Sequence, residues 1–323
     1  MKKGQIAEGN VTTVEFPNKG IVMTDEGERV IVKNTIPGQR VSFAVNKVRK
    51  GKAEGRLLET VKKSPRETAD TCRHFGQCGG CTYQSLPYEE QLKIKETQVR
   101  GMIEQAIGDA CAYEFFPIRH SPRVLAYRNK MEFSFGDAVK DGPLTLGLHK
   151  NGSFHDIVDA EGCQIVHPDY SAVLACVREY AKENNIPYYH KRDHQGVLRH
   201  LLVRRAEVSG DMLVALVTST QQEIDYSELV SRLLALPLEG QITGILQICN
   251  DSLGDVVQSD ETKILYGKDW FEEKVLGLTF KISPFSFFQT NTSGAEVLYQ
   301  RAREYVLGEI NIGNAGETGN GNM

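Results

Sequence analysis

The chain has 323 residues, 40% of them hydrophobic and 25% charged. That is enough for two or three domains and too ordinary for a disordered, collagen-like or low-complexity protein. No apolar run reaches the ~18 residues of a membrane span, and Met1-Lys2-Lys3-Gly4-Gln5 leads into no apolar signal segment, so a cytoplasmic location without membrane contact is expected. The net charge of −4 is uneven: residues 1–65 hold 13 Lys+Arg against 7 Asp+Glu, and the rest hold 25 against 35. A basic N-terminal module on an acidic body predicts an anionic partner for that module.

Residues 1–60 read as about five short strands. Val11, Ile21-Val22, Val30-Ile31-Val32, Val41-Phe43-Val45 and Leu57-Leu58 are the β-rich pieces, and Gly20, Asp25-Glu26-Gly27, Pro37-Gly38 and Lys50-Gly51 punctuate them. This is the size of a small OB-type barrel. Arg40, Lys47, Arg49, Lys50 and Lys52 cluster around the last two strands. They are candidate nucleic-acid contacts; a solvated charged edge that discourages aggregation is the bland alternative.

After a linker near Lys62-Lys63-Ser64-Pro65, a helix is predicted from Pro87 to Ile107, with Leu92, Val99, Met102, Ile103 and Ala106 on one side and Gly108 as its stop. Residues 118–166 alternate as strands. A helix over 169–184 carries Tyr170, Val173, Leu174, Val177, Tyr180 and Ala181 at helical spacing. Strands are expected at 201–203, 212–217, 242–249 and 254–258, with a helix over 225–236. Residues 61–280 therefore read as a central α+β domain with a mainly antiparallel sheet. The last helix is predicted over 294–307, with Ser293 and Glu296 at capping-box spacing. A Gly/Asn-rich tail follows; as a nucleotide loop it lacks a following helix and a ribose-binding acid.

Cys72, Cys78 and Cys81 crowd into one loop, with Gly79 and Gly80 between the last two, and Cys163 lies far downstream. Thiolates bind soft metals and iron–sulfur clusters, and glycines without Cβ let backbone N–H groups approach sulfur. Zinc accepts the same donors, and unligated cysteines are the plain alternative. Cys111, Cys176 and Cys249 stand alone and read as buried apolar residues. Tyr127-Arg128-Asn129-Lys130 joins an aromatic ring, a guanidinium and an amide able to stack on bases and grip phosphates. Arg199, His200, Arg204 and Arg205 form a second basic stretch that a salt-bridged sheet face explains nearly as well. Ser283-Pro284-Phe285-Ser286-Phe287-Phe288-Gln289-Thr290-Asn291 is either an aromatic and amide surface for a planar ligand or a core strand entering a helix cap.

In combination these residues resemble the iron–sulfur-containing RNA 5-methyluridine methyltransferases, in particular the bacterial ribosomal RNA uracil-C5 branch. Residues 1–60 are similar to its N-terminal TRAM domain, including Ile36-Pro37-Gly38-Gln39-Arg40-Val41. Tyr127-Arg128-Asn129-Lys130-Met131, Gly196-Val197-Leu198-Arg199-His200-Leu201 and Phe287-Phe288-Gln289-Thr290-Asn291 resemble its further signatures, over roughly residues 1–307. The resemblance implies a [4Fe–4S] cluster on Cys72, Cys78, Cys81 and Cys163, and S-adenosylmethionine as methyl donor, contacted by Gln289. It implies 23S ribosomal RNA as partner, Arg40, Lys47, Arg49, Lys50, Arg128 and Lys130 as RNA contacts, and a monomer. In that chemistry a cysteine thiolate adds to uracil C6, C5 attacks the donor methyl, and a carboxylate removes the C5 proton from a base unstacked into the pocket.

No residue of this chain matches the nucleophilic cysteine or the base. Residues 281–323 are therefore expected to begin a Rossmann-like α/β methyltransferase domain that is mostly missing, leaving the chain unable to methylate alone. A stand-alone RNA-binding iron–sulfur module, a zinc module and a radical-SAM enzyme are the alternatives; the last requires a Cys-x3-Cys-x2-Cys spacing that this chain lacks.

Overall fold

The computed structural model describes residues 1–68, 72–108, 112–254, 257 and 259–308. Cys111 and the Gly/Asn-rich tail lie outside them, as does most of the strand predicted over 254–258. The chain divides into two compact units, Met1–His120 with Leu148–Val158, and Ser121–Gly147 with the chain from Asp159 onward.

In the first unit, β1 (Ile6–Glu15), β2 (Lys19–Thr24), β3 (Arg29–Lys33), β4 (Arg40–Arg49) and β5 (Lys52–Lys62) close into a barrel of order β1-β2-β3-β5-β4. Alternation sets the inside: Val41, Phe43 and Val45 of β4 are buried while their neighbours are not. With Val11, Val22, Val30 and Val32 they make the core. Lys50 and Gly51 both have positive φ, the two-residue turn whose twist matches a hairpin. Gly20 sits where a Cβ would lie 1.8 Å from Thr35 Oγ1 and 2.8 Å from the Val32 carbonyl.

Helix α1 (Tyr88–Ile107) follows the cysteine loop. The predicted apolar stripe is not what it buries: Val99 and Met102 are 41% and 40% exposed. Its buried residue is Gln98, whose amide donates to the Val14 carbonyl at 3.1 Å and to the Tyr83 hydroxyl at 3.3 Å. Tyr83 and Leu86, from the end of the cysteine loop, join the barrel core. Barrel and cysteine loop are thus one packed body.

A sheet of order β12-β11-β10-β9-β6-β7-β8 forms most of the second unit, with residues 148–149 of β7 and 157–158 of β8 falling in the first. The strands are β6 (Lys130–Asp137), β7 (Leu144–His149), β8 (Ile157–Asp159), β9 (Leu198–Arg205), β10 (Asp211–Thr218), β11 (Gln241–Cys249) and β12 (Glu261–Gly267). β10 and β11 pair in parallel, joined through α3 (Ser227–Leu234); β6–β7, β6–β9, β9–β10 and β11–β12 are antiparallel. Helix α2 (Pro168–Glu183) buries the stripe read from its spacing, from Tyr170 to Ala181. A hairpin of β13 (Phe271–Val275) and β14 (Leu278–Ile282) and helix α4 (Thr292–Leu307) complete the unit. No described helix is long and apolar enough to cross a membrane.

Two expectations for the last segment change. Helix α4 begins at Thr292 and is capped by Asn291, whose Oδ1 accepts from Gly294 N–H at 2.8 Å; Glu296 instead accepts from Leu276 N–H at 2.9 Å. The residues expected to begin a Rossmann-like domain are also not set apart from what precedes them. Phe288 packs on Ala206, Leu213, Phe271 and Ile282, and Thr292 is hydrogen-bonded to Asn129 and Glu273, so residues 281–308 are built into the second unit.

Gly20→Ala is expected to lower barrel stability by about 1–3 kcal/mol, the usual range for forced overpacking, measured by denaturant unfolding. An unchanged midpoint contradicts the close approach of Thr35.

Candidate functional site

Two regions carry the candidate residues. The first is the barrel with the cysteine loop. Arg40 is already committed: Nη1 and Nη2 grip Asp25 at 3.1 and 2.7 Å, and Nε meets Glu8 at 3.0 Å. This pairing holds the Asp25 carboxyl below the usual carboxylate range. Lys47 faces Glu54 at 3.2 Å. Arg49 and Lys50 stand exposed at the β4–β5 turn, and Arg49 lies opposite Lys52.

Sequence reading missed a further set. Lys19 and Lys33 are direct cross-strand partners in β2 and β3, an arrangement of like charges that destabilises a sheet. Together with Arg56 they line a groove of about 630 Å³ whose other walls include Asn34, Asn46 and Asn151. Spacing along the chain could not place Lys19 beside Lys33; only the strand register does.

Cys72 is buried; Cys78 and Cys81 are half-buried in the same loop. Gly80 N–H donates to Cys78 Sγ at 3.3 Å. Burial pushes the Cys78 thiol up, the Gly80 N–H opposes this, and the nearness of Cys72 adds to the rise. Cys163 belongs to the second unit, on the turn before α2, where its N–H donates to the Ala160 carbonyl at 3.1 Å. Among the described residues, no group of three or more His, Cys, Asp or Glu is gathered to hold a metal ion. The donors suit a soft metal in kind, and Cys72 lies near enough to Cys78 to add to the rise of its thiol.

The second region surrounds Gln289. Asn129 donates from Nδ2 to the Gln289 carbonyl at 2.9 Å and to Thr292 Oγ1 at 2.8 Å, while its N–H donates to the Thr290 carbonyl at 2.9 Å. Thr292 donates to Glu273 Oε2 at 3.1 Å, which also accepts from Glu207 N–H at 2.9 Å. Glu273 is 1% exposed, and burial raises its carboxyl above the usual range. The loop bearing Gln289 is therefore clamped through its backbone. Among the described residues the Gln289 side-chain amide has no hydrogen-bond partner, and it is half-buried. Glu273 was legible in principle: in β13 it shares the inward face with Phe271 and Val275.

The aromatic run divides, with Phe288 packed inward and Phe287 89% exposed. Arg128 bridges to Asn291, and its Nε donates to the Lys130 carbonyl at 2.9 Å; Lys130 pairs with Glu132. The second basic stretch does structural work. Arg199 donates to the carbonyls of Asn250, Ser252 and Gly254, Arg204 to that of Ser286, and Arg205 pairs with Asp169 at 3.2 Å. Cys249 is buried and Cys176 half-buried, and burial raises both thiols.

No family model matches the chain. It is 43% identical over 306 residues to an uncharacterized RNA methyltransferase of Caldanaerobacter subterraneus, covering 94% of this chain and 67% of that protein. It is 42% identical over 306 residues to another of Clostridium tetani, covering 95% and 66%. The chain belongs to this family of RNA methyltransferases, and it spans about two thirds of the length of these relatives. Its fold is similar to that of the Pyrococcus abyssi tRNA (uracil-54, C5)-methyltransferase solved with S-adenosyl-L-homocysteine, with a TM-score of 0.68 at 22% identity, covering 92% of this chain and 65% of that one. A match over 92% of the chain overturns the expectation that the methyltransferase fold is mostly missing.

Asn129→Ala strands the Thr292 and Gln289 acceptors and is expected to cost about 1–3 kcal/mol in urea unfolding; a loss within error removes Asn129 from the clamp.

Proposed function

We propose that the chain serves the methylation of uracil C5 in RNA with S-adenosylmethionine as donor, its barrel being a TRAM-type module that holds the RNA. Its family supports the RNA substrate, and the name of its structural neighbour suggests uracil C5 and the donor. The observation that carries RNA binding is the opposed pair Lys19 and Lys33 with Arg56 in one groove. Their repulsion is relieved by a polyanion. Arg49 and Lys50 of the same unit extend the contact, and Arg40 and Lys47 would have to leave carboxylates to join it; Arg128 and Lys130 are proposed as separate RNA contacts of the second unit. Ribosomal RNA of the large subunit is the substrate proposed, from the resemblance.

Gln289 is proposed to contact the donor, its backbone fixed by Asn129 and its amide left unpaired. Addition to uracil C6 needs an activated thiolate. Burial raises the thiols of Cys78, Cys176 and Cys249, the wrong direction for that role. With no residue matched to the nucleophile or the base by the resemblance, these 323 residues are expected to bind RNA without transferring a labelled methyl group; transfer would contradict this.

Replacing Lys19, Lys33 and Arg56 together with Ala is expected to weaken RNA binding and to lower the slope of log affinity against log salt by about 2, at ~0.7 per phosphate on single strands. An unaltered slope would sink the groove as the RNA site.

Cys72, Cys78, Cys81 and Cys163 are proposed as cluster ligands on donor chemistry. Anaerobically purified protein is expected to carry iron and sulfide, both lost in Cys78→Ala. Zinc without sulfide would replace the cluster by a zinc site.

A further inference from the structure

The basic groove does not end at the barrel. A second cavity of about 380 Å³ lies between β5 and the cysteine loop, lined by Phe75, Gly76, Cys81 and Thr82. It shares Asn34, Leu57, Leu58, Gly76 and Asn151 with the groove, so the two form one trough within the first unit. Hydrogen bonds fix its walls. Asn34 Nδ2 donates to Asn151 Oδ1 at 2.8 Å, and Asn18 Nδ2 to Asn34 Oδ1 at 2.7 Å. Asn151 N–H donates to the Gln77 carbonyl at 2.6 Å, and Gly79 N–H to the His149 carbonyl at 3.0 Å. The cysteine loop is thereby zipped to residues 149–151, which are tied in turn to the barrel.

The trough has a chemical gradient. Its outer end carries Lys19, Lys33 and Arg56, with Glu54 already facing Lys47. Leu57 and Leu58 with the amides of Asn34 and Asn151 run along both parts, and the second cavity adds Phe75 and Gln39. There Glu67 is occupied by Gln39 and Ser64 N–H, leaving Lys63 and Glu59 as the remaining opposite charges. Cations for phosphates in the first part, with apolar walls and amides that run on into the second, suit a strand whose bases are unpaired. A duplex keeps its base faces stacked and could use only the cationic end.

We infer that this trough holds single-stranded RNA, with phosphates on Lys19, Lys33 and Arg56 and unpaired bases between β5 and the cysteine loop. The inference rests on the proposed RNA-binding role and adds the strandedness of the ligand and the second wall. It makes residues 75–82 a substrate-contacting surface, whatever group their thiols hold.

The test compares binding of a short oligouridylate and an RNA duplex of equal length to the full chain. The single strand is expected to bind about tenfold tighter or more, a factor within the range of base stacking. Leu58→Asp, at an exposed position of β5, is expected to remove that preference, and Asn34→Ala to reduce it. Val208→Asp, on the exposed surface of the second unit, is expected to change nothing. A 4-thiouridine oligonucleotide is expected to crosslink to the peptide containing residues 75–82. Equal affinity for duplex and single strand, or a preference untouched by Leu58→Asp in a variant that unfolds normally, overturns the inference and leaves RNA binding standing. Failure of the wild-type chain to bind either RNA overturns the proposed function itself.

Discussion

A cation already held by carboxylates serves a phosphate only by giving up those bonds. That constraint sorts the basic residues of the barrel. Arg40 is locked between Asp25 and Glu8, and Lys47 faces Glu54. Lys19 and Lys33 have the opposite problem, since β2–β3 pairing sets them side by side. An excess of positive charge spread over 65 residues thus resolves into a neutralised side and an unbalanced side, and the unbalanced side opens on the groove. The same pairing of strands that closes the hydrophobic core decides which charges remain for a ligand.

The second unit solves a different problem: holding a loop still while leaving one side chain free. Asn129 spends its hydrogen bonds on the backbone of Gln289 and Thr290 and on the Thr292 hydroxyl. Buried Glu273 takes up the Thr292 hydroxyl in turn. Burying that carboxylate is costly unless its oxygens are well supplied with donors, and the N–H groups of Glu207 and Lys274 supply them. The result is a fixed loop whose Gln289 side-chain amide has no hydrogen-bond partner among the described residues.

Much of the fold was legible wherever burial follows a simple period. The alternation in β4 and the stripe of α2 fall where the sequence places them. Reading failed where a polar residue does the burying. Helix α1 docks through Gln98 rather than the apolar stripe, because an amide satisfies the Val14 carbonyl as an aliphatic side chain cannot. The cap of α4 is Asn291 rather than Ser293, because the chain is already extended at Asn291 and its Oδ1 reaches Gly294 N–H. For the candidate site the limit was register. Arg40, Lys47, Arg49 and Lys50 are visible as a cluster along the chain, whereas Lys19, Lys33 and Arg56 meet only once three strands are paired. The cysteines were legible as donors, whereas their division, with Cys72, Cys78 and Cys81 in the first unit and Cys163 in the second, is visible only in the fold.

The proposed RNA would occupy the barrel groove and the cysteine loop together. Hydrogen exchange of the full chain with and without a single-stranded oligonucleotide tests this most directly. Slowed exchange in Lys19–Thr24, Arg29–Lys33 and Lys52–Lys62 together with residues 75–82 is the predicted footprint. Bound RNA that leaves those segments unprotected, with any footprint confined to the second unit, would contradict it.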